Sequence, residues 1–284
     1  MTPSFILVAC LALLLLRWLG QGLLDLLNRR HVRAHGDHAP EAVQGIMDGP
    51  TYRRSVEYTL AKSHFGQVEE LWSLATKIVF LCSGFLPWTL ELWSDRFGQG
   101  ALAQSGWLLA VSFVMGLPDL PLEWWSQFRL EERFGFNKST LRTWITDHLK
   151  MLVLSTLLGL PLVTGILRLT VWIGESWWLW AWALLMAFQA VMMILAPILI
   201  LPWFNKFTPL PDGSLRDRLL RLGERTGFTA KTIQIADGSR RSAHSNAYFT
   251  GFGRFRKIVL YDTLVAQLTE VELEAVLAHE IGHY

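Results

Sequence analysis

From Ser176 to Asn205 the chain carries no aspartate, glutamate, lysine or arginine. About 20 such residues are enough for a helix to cross the hydrocarbon core of a bilayer, so this segment reads as a membrane helix. Trp177, Trp178, Trp180 and Trp182 crowd one end and Trp203 stands at the other, the two headgroup levels at which tryptophan anchors a span. Composition agrees: 51% of the 284 residues are hydrophobic and 18% charged, whereas an ordinary soluble domain carries about 25% charged residues. A purely soluble, disordered or disulfide-stapled protein is thereby excluded. The net charge of +2 is too weak a field for nucleic acid. Cys10 and Cys82 lie inside apolar runs and form no C-x-x-C pair, which leaves no thiolate metal site or disulfide framework to argue from.

Phe97–Pro118 and Met151–Leu167 are further charge-free runs. The first two apolar segments are interrupted, Ser4–Leu24 by Arg17 and Leu71–Trp93 by Lys77 and Glu91. Near the ends of a span such side chains snorkel to the interface; deeper, they line a water-filled interior. The expectation is five transmembrane helices, at about 4–24, 71–93, 100–122, 151–172 and 177–203, in a membrane domain of residues 1–203. The opening segment lacks a basic n-region and a small-x-small cleavage site, so it reads as a retained helix. Arg29, Arg30, Arg33, Arg53, Arg54 and Lys62 fall between spans one and two, and Arg129, Arg133, Lys138, Arg142 and Lys150 between three and four; the opposite loops offer only Arg96. The positive-inside rule then puts the N-terminus outside and everything after Asn205 in the cytosol.

After Pro202 the composition turns polar. Pro209, Pro211 and Gly213 mark a loop, Leu215–Arg225 is a short helix with Leu215, Leu219 and Leu222 on one face, and Gly227 stops it. Lys231–Ala236 alternates as a strand, and Asn246–Thr250 and Lys257–Tyr261 flank Gly251-Phe252-Gly253-Arg254 as a hairpin. Thr269 and Glu272 form a capping box that opens a final helix. On that helix stands His279-Glu280-Ile281-Gly282-His283. Residues four apart lie one turn above each other, so His279 and His283 are candidate ligands of one Zn²⁺. Glu280, about 100° round the axis, is the candidate general base that activates a zinc-bound water. Asn246, Ala247 and Tyr248 are the candidate substrate-binding residues, on a strand suited to take up a peptide backbone as an added strand.

Other polar residues have simpler readings. His31, His35 and His38 sit in a polar, arginine-bearing segment and read as a solvated loop rather than a metal site. Asp147 and His148 stand where the fourth span enters the membrane, without the company that a catalytic pair needs.

The chain resembles the type-1 CAAX prenyl endopeptidases, integral-membrane zinc metalloproteases. The likeness rests on Glu132-Arg133-Phe134-Gly135-Phe136-Asn137-Lys138-Ser139-Thr140, Pro202-Trp203-Phe204-Asn205-Lys206-Phe207 with Thr208-Pro209-Leu210-Pro211, Ser245–Phe252, Lys257–Leu264 and the H-E-x-x-H. It implies a mainly α, polytopic membrane protein whose tilted helices enclose an aqueous chamber, followed by a small cytosolic zincin-like α+β portion over residues 204–284. It also implies cleavage after the prenylated cysteine of a C-terminal CAAX sequence, with peptide or lipid-modified proteins as substrates and membrane lipid as surroundings. By the same likeness His279 and His283 are ligands, Glu280 is the acid/base, and Asn246–Tyr248 lie on the edge strand beside the substrate. The family's third ligand is a glutamate on a later helix, which this chain does not contain, so the resemblance implies an incomplete metalloprotease domain, inactive by itself. A peptide-holding scaffold that does not cut, and a protease acting on misfolded membrane proteins, accommodate the same residues.

Overall fold

Two compact units divide the chain, Met1–Phe134 and Gly135–Tyr284. The computed structural model describes residues 3–282 apart from 42–44, 46, 228–231 and 251–256. His283, named above as a metal ligand, and the hairpin turn at 251–254 lie outside the described residues.

The first unit is helical. α1 spans Pro3–Ala34, ten residues beyond the expected span, so His31 falls in its last turn rather than in a loop. The rings of His31 and His35 meet there tilted at 31°, their centroids 4.3 Å apart, and His35 Nδ1 lies 2.9 Å from the carbonyl oxygen of His31. α2, Gly49–Cys82, starts at Asp48, whose carboxylate accepts the Thr51 N–H at 3.0 Å. The span expected at 71–93 is not one straight helix: Gly84 adopts φ 73°, a left-handed conformation that ends α2, and α3, Phe85–Phe97, leaves at 56°. Helix period alone does not see this break, because the apolar pattern continues across it; the signal was the Ser83-Gly84 pair, a C-terminal stop of the usual kind.

Ala101–Phe134 is one long helical segment, α4, with a 3₁₀ turn at Leu117–Asp119 and a π turn at Ser126–Glu131. Pro118 and Pro121 remove ladder hydrogen bonds at and just after the 3₁₀ turn, which is why the helix changes pitch at that point. Arg17 pairs with Glu70 at 3.2 Å and Lys77 donates to Ser73 Oγ at 2.6 Å, so both interrupting cations find polar partners on α2. A cavity of about 650 Å³ opens among α1, α2 and α4, with Asp25, Glu69, Glu70, Asp119 and Glu123 on its walls.

In the second unit Thr140 caps α5, Leu141–Trp172, by accepting the Thr143 N–H at 3.1 Å. α6 occupies Gly174–Phe204, with a π turn over Ala196–Ile200 where Pro197 interrupts the ladder. By length and apolarity the described residues hold four membrane spans, or five when α2 and α3 count as one bent span.

The remaining chain folds as a sheet with helices. β1 is Phe207–Pro209, α7 Ser214–Thr226, β2 Thr232–Ala236, β3 Ala247–Thr250, β4 Lys257–Tyr261, α8 Asp262–Gln267 and α9 Glu270–Gly282. Strand order is β1-β2-β4-β3, antiparallel except for the parallel β2–β4 pair. Central β4 has Ile258, Val259 and Leu260 each 1% exposed, the continuous apolar run of a strand covered on both faces. Leu219 and Leu222 of α7 and Leu273 and Leu277 of α9 close over Ile233, Ala247, Ile258 and Leu260 as one core. Gly227 ends α7 at φ 70°, as its sequence position predicts.

Candidate active site and substrate edge

α9 is fixed at its start and along one face. The Thr269 N–H donates to Glu272 Oε2 at 2.8 Å and the Glu272 N–H returns to Thr269 Oγ1 at 3.4 Å, the reciprocal pattern of a capping box. These Thr269 donors hold the Glu272 carboxyl below its ordinary range. Arg218 of α7 pairs with Glu274 at 2.7 Å, and Ser214 Oγ donates to Glu270 at 2.6 Å. Leu273 and Leu277, one turn apart, are 2% and 1% exposed. With that stripe against the sheet, His279, about 200° round from Leu277, emerges exposed, while Glu280 on the flank of the stripe is half-buried.

α9 packs on β3, the strand at one edge of the sheet. The pleat decides which β3 side chains meet the helix. Ala247 opposite Leu260 and Phe249 opposite Ile258 belong to the helix-covered core. Tyr248, opposite Val259, therefore projects to the other face, its ring edge-on to Tyr261 at 6.2 Å. Burial, with a smaller contribution from Tyr261, pushes its hydroxyl up to about 12. Asn246 precedes the strand, exposed, and its carbonyl accepts the Tyr261 N–H at 2.9 Å. Of the substrate-binding candidates only Ala247 has its side chain on the α9 face; Tyr248 reaches that side through its backbone alone.

Sequence reasoning missed the clamp that leads the chain into β3. Arg241 donates from Nε and Nη2 to the two Asp147 carboxylate oxygens at 2.7 and 3.1 Å, and from Nη1 to Asn205 at 3.1 Å. Lys150 of the same helix donates to the Trp203 carbonyl at 2.6 Å. Beside this clamp Phe136 stacks on His244 at 4.1 Å, the Ala243 N–H donates to the Phe136 carbonyl at 2.9 Å, and the Lys138 N–H to the Arg241 carbonyl at 3.1 Å. The Gly135–Thr140 stretch thus lies against residues 241–244. Gly135 has φ 83°, which a side chain adopts only with strain. Asp147 is engaged as an anchor; the one signal for it was a carboxylate at the mouth of an apolar span.

Among the described residues no three His, Cys, Asp or Glu side chains converge as a metal cage. The donor chemistry of α9 nonetheless fits zinc: an exposed imidazole with a carboxylate at the next position, on a helix held by its core stripe.

A family model described as CAAX prenyl protease N-terminal, five membrane helices, matches residues 28–206, and one for peptidase family M48 matches residues 209–284. The CAAX prenyl protease 1 homolog of Oryza sativa subsp. japonica is 36% identical over 284 residues, 97% of this chain and 66% of its own. CAAX prenyl protease 1 of Saccharomyces cerevisiae is 37% identical over 270 residues, 90% of this chain and 59% of its own. The crystal structure of S. mikatae Ste24p superposes with a TM-score of 0.90 at 34% identity, covering 100% of this chain and 67% of that one. The chain spans about three fifths of the length of the curated relatives it matches. With both halves matched and the fold shared, the chain belongs to the M48 peptidases, in the group of the CAAX prenyl proteases.

Proposed function

We propose that the chain carries the membrane domain and the first part of the catalytic domain of a zinc-dependent endopeptidase acting on prenylated or other membrane-associated proteins. Residues 1–203 are assigned to the membrane, with the N-terminus outside, and residues 204–284 to the cytosol, on the strength of the basic loops. The observation that carries the reading is the placement of α9: its buried leucines lie on the sheet beside edge strand β3, and His279 and Glu280 follow on the sides they leave open.

His279, with His283 four residues on, would hold the zinc ion through imidazole nitrogens. When bound, zinc supplies a polarised carbonyl and a water of lowered pKa. The Glu280 carboxylate takes a proton from the attacking water and returns it to the leaving amine. The outer edge of β3, Ala247 and Tyr248, pairs with an extended peptide through backbone hydrogen bonds, and Asn246 lies at the start of that edge. The Tyr248 ring, on the far face, supports the strand.

The test uses the full-length protein with a farnesylated CAAX peptide, metal content being measured on the same samples. Glu280→Gln is expected to abolish cleavage while retaining zinc near one per chain, and His279→Ala to lose both. Cleavage surviving Glu280→Gln would overturn the assignment. A wild-type protein that binds zinc and cuts an unprenylated membrane protein equally well would favour the reading in which misfolded membrane proteins are the substrates.

A further inference from the structure

Where α5 and α6 run side by side, small residues leave a hollow. Gly165 on α5 and Ala183 and Ala187 on α6 line an apolar groove of about 520 Å³. A Cβ added at Gly165 would stand 3.2 Å from Leu184 Cδ2, so the glycine itself creates part of the space. Both helices are long and apolar enough to cross a membrane, so acyl chains of the bilayer are available to fill such a groove. An empty hollow would forfeit dispersion contacts that an acyl chain supplies.

The end of the groove nearest the α5–α6 turn is chemically different. It carries Arg168, Trp172 and Trp180, the two tryptophans 73% and 54% exposed. Arg168 is the only charged residue between Lys150 and Glu175. Its guanidinium carbon lies 5.8 Å from the Trp172 ring centroid, and among the described residues no carboxylate pairs with it. Glu175 follows in the turn but is not part of the lining. A lone cation held over an indole, at the aromatic belt, above an apolar slot, complements a molecule with a phosphate at one end and a hydrocarbon chain at the other.

We propose that this groove holds one anionic phospholipid of the surrounding bilayer, its phosphate against the Arg168 guanidinium and its acyl chain along Gly165, Ala183 and Ala187. Net negative charge is required because the lining offers no acidic group to meet an ammonium headgroup. A free phosphate ion gains nothing from the apolar slot. The site is independent of the peptidase reading.

The test is native mass spectrometry of the full chain released from nanodiscs of equal phosphatidylglycerol and phosphatidylcholine. One basic side chain at an anionic membrane surface gives about fivefold preference, so the first retained lipid is expected to be phosphatidylglycerol by roughly that factor. Arg168→Gln brings the ratio to that of the bulk disc, and Gly165→Leu, which fills the slot, removes the retained lipid of either kind. Arg96→Gln, on the same side by the basic-loop count, leaves the ratio as in wild type. A wild-type chain showing bulk composition, or an Arg168→Gln chain with undiminished preference, overturns the proposal. The wild-type ratio alone decides it should a variant fail to fold.

Discussion

Removing the Arg241 guanidinium or the Asp147 carboxylate by alanine substitution, singly and together, asks how firmly the chain entering β3 is held. The two groups make paired bonds at 2.7 and 3.1 Å with both side chains 23% exposed. Unit charges about 4 Å apart at an effective dielectric near 20 attract by roughly 4 kcal/mol, and desolvation and lost side-chain freedom offset about half of that. A coupling of about 2 kcal/mol in the double-mutant cycle follows, above the roughly 0.2–1 kcal/mol of exposed pairs. The two single variants are not equivalent. Lys150 Nζ stands 3.9 Å from the same Asp147 oxygen that receives Arg241 Nη2, so Arg241→Ala leaves the carboxylate a counter-charge, whereas Asp147→Ala leaves two cations without one and costs more. Amide hydrogen exchange of residues 237–250 in detergent micelles reads the effect, since opening there tracks the local free energy. About 2 kcal/mol corresponds to a roughly thirtyfold faster exchange. A coupling below about 0.5 kcal/mol, or Arg241→Ala proving the more disruptive variant, would refute the reasoning.

Leu277→Ala, at a side chain 1% exposed in the core under α9, is expected to cost about 3 kcal/mol, visible as faster exchange across α9, whereas Val271→Ala, 62% exposed, stays within about 0.5 kcal/mol. Gly238→Ala places a methyl group into the Tyr261 ring and is expected to destabilise the sheet by about 1–3 kcal/mol, measured by thermal unfolding; an unchanged midpoint would mean that the ring moves aside freely. Tyrosinate absorbance should show a component ionising near 12 that is lost in Tyr248→Phe. Because this hydroxyl is raised from its ordinary value of 10, the stability it contributes is complete below pH 10 and drains away as pH climbs to about 12; stability that rose over that interval in wild type relative to Tyr248→Phe would contradict the sign.

The contacts that hold the start of α9 and the chain entering β3 differ in how they were encoded. The Thr269–Glu272 cap joins residues three apart, and a local pattern announces it. The Arg241–Asp147 clamp joins residues 94 positions apart, and no periodicity or spacing rule links them. Similarly, the helical stretch and its stop at Gly227 were readable, while β1 and α8 were not: a three-residue strand and a six-residue helix are too short for any period to register, and only pairing with β2 and docking beside β4 hold them.

What the sequence determined by itself was the medium and the candidate residues. Charge-free runs with tryptophan at their ends belong in a bilayer, and the spacing of His279, Glu280 and His283 along a helix marks them as candidate metal-site residues, because both readings need only neighbours along the chain. What tertiary structure decided was direction. The bend at Gly84, the two faces of β3 that send Ala247 towards α9 and the Tyr248 ring away from it, and the leucine stripe that leaves His279 exposed all depend on which distant surface each element is pressed against.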